Sequence, residues 1–226
     1  MKKFISLLLV FILCLSLCAC GQAEPPADHD EETITQLDLE VGDTYTFGTY
    51  NAAAIEWKVL AVEDGKALLL SQYALNAVVY HEQWDKTTWE SCTLRNWLNS
   101  DFMNEAFSAE EQACIFATTV PAEKNPDHDV DPGNAAQDSI FLLSISEAEK
   151  YLPTADDRKC AVTDYGAEQG VWTDEEGYCS WWLRNPGQSA SNAANVLCSG
   201  NLDTEGSYVV YADIGVRPAM WLEIAE

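Results

Sequence analysis

The sequence predicts a single α+β domain, and three stretches carry that expectation. Apolar and polar residues alternate through Asp43–Tyr50 and Ile55–Val62, and Glu63-Asp64-Gly65 then turns the chain into Lys66–Ser71. An Asp-Gly pair between alternating runs is a strong hairpin signal. The middle of the chain carries helix starts instead, among them Ser108-Ala-Glu-Glu111 in the pattern of a capping box. The last third returns to short apolar runs punctuated by Gly200, Gly206 and Gly215. Strands, then helices, then strands again predict α+β architecture.

The N-terminus is of a different kind. Lys2 and Lys3 precede an almost wholly apolar run, Phe4–Leu17. That run is shorter than the roughly 20 residues of a spanning helix and fits a signal peptide. It ends in Leu17-Cys18-Ala19-Cys20-Gly21, which resembles a bacterial lipobox. We therefore expect a lipoprotein signal peptide over residues 1–19 and a diacylglycerol on the thiol of Cys20. The alternative is ordinary secretion with cleavage after Ala19. Diacylglycerol supplies the second acyl chain that stable anchoring requires. Residues 20–36 include "AEPPADHDEET", rich in Pro, Asp and Glu and free of aromatics, so a flexible acidic tether is expected there. The folded domain is then 37–226. These segments place the protein outside the cytoplasm, held by lipid to the outer face of the cytoplasmic membrane.

Charge narrows the partners. The formal net charge is −25, and removing Lys2 and Lys3 leaves 10 of the 12 basic groups against 37 acidic ones. Such a surface repels phosphate backbones, which argues against nucleic acid as a partner. The chain is nonetheless a folding one, with 47% hydrophobic residues and eight Trp. About 190 residues follow the tether, enough for one domain with a substantial core.

Within the domain, Thr88 or Ser91 is expected to cap a helix that places Leu94, Trp97 and Leu98 on one face. The Ser108 capping box opens a second helix. A polar loop, Pro121–Asp138, leads to an apolar strand Ile140–Ile145, and Ser146-Glu-Ala-Glu149 is expected to cap a short helix ending near Leu152-Pro153. Four strands close the chain, expected over Tyr178–Arg184, Ala194–Ser199, Ser207–Ala212 and Val216–Ile224.

Cysteine counting leaves alternatives open. Without Cys14, Cys18 and Cys20, five remain: Cys92, Cys114, Cys160, Cys179 and Cys198. Five is odd, so at least one has no intramolecular partner. None has CxxC spacing, which argues against a zinc ribbon. Buried free thiols and disulfides are equally compatible with the pattern.

Catalytic signatures are missing. The domain holds only His81 and His128, with no G-x-S-x-G elbow, H-E-x-x-H, Walker loop or G-x-G-x-x-G. No catalytic residue is assigned and no cofactor is expected, with one qualification. Asp127, Asp129 and Asp131 recur at every second residue, as oxygen ligands do in calcium loops. Pro132 stands where an EF-hand loop has its Gly, and Asp138 replaces the closing Glu. A solvated acidic loop explains the same residues.

Five blocks, "GDTYTFGTY…IEWKVLAVEDGKALLLSQYAL", "TTWESCTLRNWLNSDFMNEAFSAEEQACI", "DSIFLLSISEAEKYL", "CSWWLRNPG" and "GVRPAMWL", stand in that order. Together they resemble an uncharacterised bacterial extracellular and lipoprotein domain family of unknown function. Its members read Trp-Trp-Leu-Arg-Ser-Pro-Gly and Gly-Val-Arg-Pro-Ala-Leu-Trp-Leu near the end. Asn185 and Met220 depart mildly from that pattern. The family is in turn distantly similar to the C-type-lectin-like fold of formylglycine-generating, sulfatase-modifying proteins, where a Gly-Phe-Arg strand closes the domain. That resemblance implies antiparallel sheets with a few short helices and long loops. The cysteine pair of those enzymes lies near their Gly-Phe-Arg element; Gly215–Leu222 holds no cysteine, so their chemistry is not carried over.

Arg95, Arg184 and Arg217 all fall inside these blocks and are expected to hold the fold, as buried arginines usually do through fixed bidentate contacts. Arg184 and Arg217 are expected over tryptophan faces, with Asp101, Asp203 or Asp213 as carboxylate partners. Trp84, Trp89, Tyr165, Trp172 and Tyr178 lie in or beside loops and are the ligand-binding candidates, with Thr163–Gly177 the preferred recognition loop. The expected function is a membrane-tethered, non-catalytic module binding a glycan, peptide or envelope component. An extracellular enzyme with carboxylate-based chemistry is the alternative.

Overall fold

Two-residue turns set up the first sheet of the computed structural model, which describes residues 37–224. Strand β1 (Thr44–Tyr50) pairs antiparallel with β2 (Ala53–Glu63), which pairs antiparallel with β3 (Lys66–Ser71). Asn51 and Ala52 at the first turn, and Asp64 and Gly65 at the second, all have positive φ. Two left-handed residues in a row match the right-handed twist of a hairpin. A short β4 (Asn76–Ala77) follows.

The helical middle is built from single turns. A 3-10 turn at Trp89–Ser91 leads to α1 (Thr93–Trp97), a π-helical turn at Leu98–Phe102, α2 (Met103–Ala106) and α3 (Ala109–Ala113). Thr88 caps the 3-10 turn, while the sulfur of Cys92 accepts the Arg95 N–H at the start of α1. Neither Thr88 nor Ser91 therefore caps α1 itself. Ser108 and Glu111 form the capping box expected of them.

Strands β5 (Ile115–Phe116), β6 (Thr118–Val120), β7 (Ala136–Asp138) and β8 (Ile140–Phe141) come next. Then follow α4 (Ile145–Tyr151), α5 (Ala155–Arg158) and α6 (Asp164–Glu168). The apolar run after Ser139 stops being a strand after two residues, because Ser144 and Glu147 form the capping box of α4. The expected cap was one pair later, at Ser146 and Glu149; both pairs match the motif, and the structure uses the first. The last strands are β9 (Trp181–Pro186), β10 (Asn192–Val196), β11 (Leu202–Tyr208), β12 (Gly215–Val216) and β13 (Ala219–Glu223).

The result is α+β, with nearly all strand pairs antiparallel and one sheet curled as a half-barrel. The first sheet runs β1-β2-β3-β13-β5, with β8 also on β13; the second runs β11-β10-β9-β12-β4. The single run expected over Val216–Ile224 is two strands in two sheets. Pro218 lies between them, where its missing N–H interrupts no ladder. Ser71–Asn76 makes the same crossing alongside: Leu75 N–H donates to Val216 O and Ser71 N–H to Pro218 O, both at 2.9 Å.

The core is continuous and aromatic. Trp57, Trp181, Trp182 and Phe102 are fully buried. The indole N–H groups of Trp57, Trp181 and Trp182 donate to the backbone carbonyls of Phe47, Arg158 and Val78 respectively, which removes the cost of desolvating them. Every residue of β9 and β10 is buried. Among the described residues no helix is long and apolar enough to cross a membrane. The expected signal segment 1–19, Cys20 and the tether 20–36 lie outside the described residues.

Candidate functional site

The scarce arginines go inward. Arg184, on β9, has a side chain only 2% exposed. Its guanidinium makes a two-pronged contact with the Glu147 carboxylate and reaches Glu123 Oε1 at 3.3 Å. It also donates to Leu142 O at 2.9 Å and Pro121 O at 3.4 Å. One side chain thus ties β9 to the start of α4 and to the loop after β6. Neighbouring Asn185 adds to this, accepting Ile145 N–H and donating to Glu123 O.

Arg95 donates through Nε to Asp138 at 2.6 Å, and Trp89 Nε1 donates to the other oxygen of that carboxylate at 2.8 Å. Asp138 is itself fully buried. Arg217 stands at the strand crossing, with Nε donating to Ser71 O at 2.9 Å and the guanidinium 5.0 Å from the Trp181 ring centroid. Arg158 is a fourth anchor, donating to Gly200 O and Leu152 O.

Asp101, Asp203 and Asp213 are not the arginine partners. Asp203 instead accepts from Asn195 and Gly206, and the Asp213 carbonyl accepts the Trp172 N–H. Arg184 lies on Glu147 of α4 and Glu123 of the loop after β6, which spacing along the chain does not reveal.

The ligand candidates separate into two places. Trp84 is 65% exposed and Trp172 57% exposed. Trp84 packs on Tyr208 with ring centroids 4.7 Å apart, and Tyr208 meets Tyr211 edge-on at 5.5 Å. Tyr208 and Tyr211 are themselves 38% and 46% exposed. The His81 N–H bonded to Val209 O and the Tyr211 N–H bonded to Tyr208 O hold the Trp84 loop against this turn. Trp172 is tied by its N–H to Asp213, two residues beyond Tyr211. Trp84, Tyr208 and Tyr211 thus form a row of solvent-facing rings, with Glu82 and Asp85 on the same loop as Trp84 and exposed Trp172 outside the row. Tyr208 and Tyr211 were missed in the sequence because they lie in a segment expected to be a regular strand.

The other aromatics do not join this row. Trp89 is corrected from ligand candidate to core residue: it is 3% exposed and bonded to Asp138. Tyr178 is half-buried, with the Lys159 ammonium over its ring at 5.3 Å. Tyr165 packs edge-on against Tyr50 at 5.4 Å and lines a cavity of about 280 Å³ with Leu75, Asp164 and Glu168. Burial, then the nearby Tyr165 and Glu105, push the Tyr50 phenol up, and its oxygen accepts from Asn76.

His81 borders the exposed row. Its Nδ1 accepts the Thr93 N–H at 3.3 Å, so Nε2 carries the hydrogen and faces Asp85 at 3.3 Å. The carboxylates expected to share calcium point to different partners: Asp129 to Lys124 at 3.2 Å, Asp131 to Gly133 N–H at 3.0 Å. Asp127 lies in the turn that Asn125 closes. Among the described residues no three His, Cys, Asp or Glu side chains converge as a metal site.

The domain is thus mixed and mostly antiparallel, with Arg184 and Arg217 buried and a group of aromatic rings on its outside. The family model for a domain of unknown function, DUF6273, matches residues 64–224, and the chain belongs to that family. Strands β1 and β2 precede the matched residues yet form the edge of the same sheet. No curated protein and no solved structure matches the chain.

Proposed function

We propose that the protein is a membrane-tethered, extracytoplasmic binding module without catalytic activity, taking a neutral or cationic glycan on the row Trp84–Tyr208–Tyr211. The observation that carries this reading is the exposure of three large rings in a contiguous run, with Tyr208 packed against both Trp84 and Tyr211. A soluble surface normally presents such side chains singly, and a contiguous group marks a contact surface. Flat ring faces suit the apolar faces of sugars, and the acidic flanks at Glu82 and Asp85 supply hydroxyl acceptors. The same acidity disfavours an anionic ligand.

The reading includes a lipid anchor at Cys20 and a position on the outer face of the cytoplasmic membrane. It also includes kinship with the C-type-lectin-like fold, for which the Gly215-Val-Arg217 element near the end of the chain is the support; an experimental structure tests that kinship.

Two experiments test the rest. Arrays of glycans and peptides, probed with the full chain and with Trp84→Ala, should show a glycan signal that falls at least about thirty-fold in the variant, the size expected of an interface hot spot. The melting temperature should hardly move, since Trp84 is a surface residue. Peptide binding in place of glycan binding, or glycan binding indifferent to Trp84, overturns the assignment. Turnover in a parallel hydrolase screen, abolished by a single Asp or Glu change, would favour the enzyme instead. For the anchor, Cys20→Ala should release the protein to the medium or leave unprocessed precursor; a processed variant still held on membranes rejects it.

A further inference from the structure

Two cysteines face each other across a pair of short segments. Ala161 and Tyr178 form an antiparallel bridge, which sets Cys160 opposite Cys179, and the Cys179 N–H donates to Cys160 O at 2.8 Å. Opposed residues bonded in this way have Cα atoms about 5.5 Å apart. A disulfide spans Cα separations of about 4.4–6.8 Å. Residues directly opposed across such a bridge carry their side chains on the same side of it. Both residues are buried in the core.

A third group completes the arrangement. Arg217 is buried beside the pair, and its Nη1 has no hydrogen-bond partner among the described residues. No carboxylate there pairs with it; its neighbours are Ser71 O, the face of Trp181 and the thiols. Burial alone would push the Cys160 thiol up. The hydrogen bond from Cys179, and then the Arg217 charge, overcome burial and hold it down at about 7. Cys179, as the donor, is pushed up by that bond and by burial. When protonated, Cys160 can instead donate to the carbonyls of Ala161 and Gln72.

We propose that Cys160 and Cys179 form a reversible disulfide, and that Arg217 favours its reduced state. The oxidant is a low-molecular-weight disulfide, RSSR. The Cys160 thiolate attacks one of its sulfurs and expels RS⁻, giving a mixed disulfide. Cys179 then loses its proton and attacks the Cys160 sulfur, expelling the second RS⁻. Two cysteine thiols are oxidised, RSSR is reduced, and the two protons leave on two RSH. Exchange requires the segments to open, which breaks the Ala161↔Tyr178 and Thr173↔Cys179 bridges, both isolated and outside the sheets. Closing the disulfide removes the thiolate that faces Arg217. A buried guanidinium without a counter-charge then weighs against the oxidised form, so the bond is reducible and not a permanent staple.

The test uses the full chain in detergent, incubated with oxidised glutathione, quenched in acid, alkylated under denaturing conditions and mapped by mass spectrometry. A cross-linked peptide pair joining Cys160 and Cys179, lighter by two hydrogen masses, is expected in the wild type, with no link between any of Cys92, Cys114 and Cys198. Full alkylation of Cys160 and Cys179 while exposed Cys114 takes up glutathione overturns the proposal, as does either cysteine linking elsewhere. For the arginine, Arg217→Gln should need about tenfold more reduced glutathione to open the bond. An unchanged midpoint in the folded variant rejects its role. Should that variant not fold, thiolate absorbance of reduced wild type must show a step near pH 7 that Cys160→Ser lacks; no such step rejects the role equally.

Discussion

Replacing Arg184 by Ala should lower stability by about 3 kcal/mol, at the lower end for breaking a buried pair. For a domain of this size that corresponds to a fall in melting temperature of about 6–12 °C. The lower end applies because Glu147 and Glu123 remain about a quarter exposed, at 26% and 29%, so water partly compensates the stranded carboxylates. The loss also reaches the Leu142 and Pro121 carbonyls, which would have to find water in a buried place. Glu147 has a second duty, since its carboxylate accepts the Ser144 N–H in the capping box of α4. The double variant Arg184→Ala/Glu147→Ala should therefore cost less than the two single variants added together, as groups in one network do. Lys at 184 should recover only part of the loss, because an ammonium has no planar fork to span both oxygens of Glu147. A fall under about 2 °C for Arg184→Ala, measured by thermal denaturation, is the size of an exposed-site effect and would defeat this account.

How far the sequence exposed this depends on whether a signal is local. The turn at Asp64-Gly65 was visible because that dipeptide has a known conformational demand; the preceding Asn51-Ala52 turn, with the same positive φ at both residues, was hidden because alanine gives no such hint. The Ser108–Glu111 capping box needs only four residues and stood out. In Ser144–Glu149 two overlapping candidates offered the same motif, and tertiary contact decided, since Glu147 and not Glu149 meets Arg184. The crossing at Arg217-Pro218 was invisible because Val216–Ile224 has the apolar character of one strand, while its two halves pair with β9 and with β3. Of the exposed rings, Trp84 and Trp172 were legible as loop aromatics. Tyr208 and Tyr211 were not, because their segment reads as a regular strand and its place beside Trp84 rests on long-range contacts such as the bond from His81 to Val209. The facing of Cys160 and Cys179 likewise rests on a single bridge with no sequence signature.

Gly200→Ala should be the most damaging small substitution in the domain. Gly200 has φ +82°, a region that costs a non-glycine residue about 1–3 kcal/mol when the surroundings enforce it. The added methyl would also stand 1.8 Å from the Ala155 carbonyl oxygen and 2.6 Å from its carbon. These are backbone atoms at the start of α5, and they cannot rotate away as a side chain could. Either α5 moves or the turn between β10 and β11 moves, and both are fastened at this point. Arg158 on α5 donates to Gly200 O at 2.8 Å, and the Trp181 indole donates to Arg158 O at 3.0 Å. Displacing either element thus disturbs a buried arginine and a buried tryptophan together. Overpacking against a fixed neighbour adds about 1–3 kcal/mol to the conformational strain. The matched control is Gly177→Ala, where φ is +86° and nothing lies within 4 Å of the added methyl. It carries the strain without the collision. Chemical denaturation of both variants should find Gly200→Ala less stable than Gly177→Ala by at least about 1 kcal/mol, the low end of the overpacking cost. Equal losses at the two positions would mean that the contact between α5 and the β10–β11 turn yields freely, and that Gly200 is required only for its backbone angle.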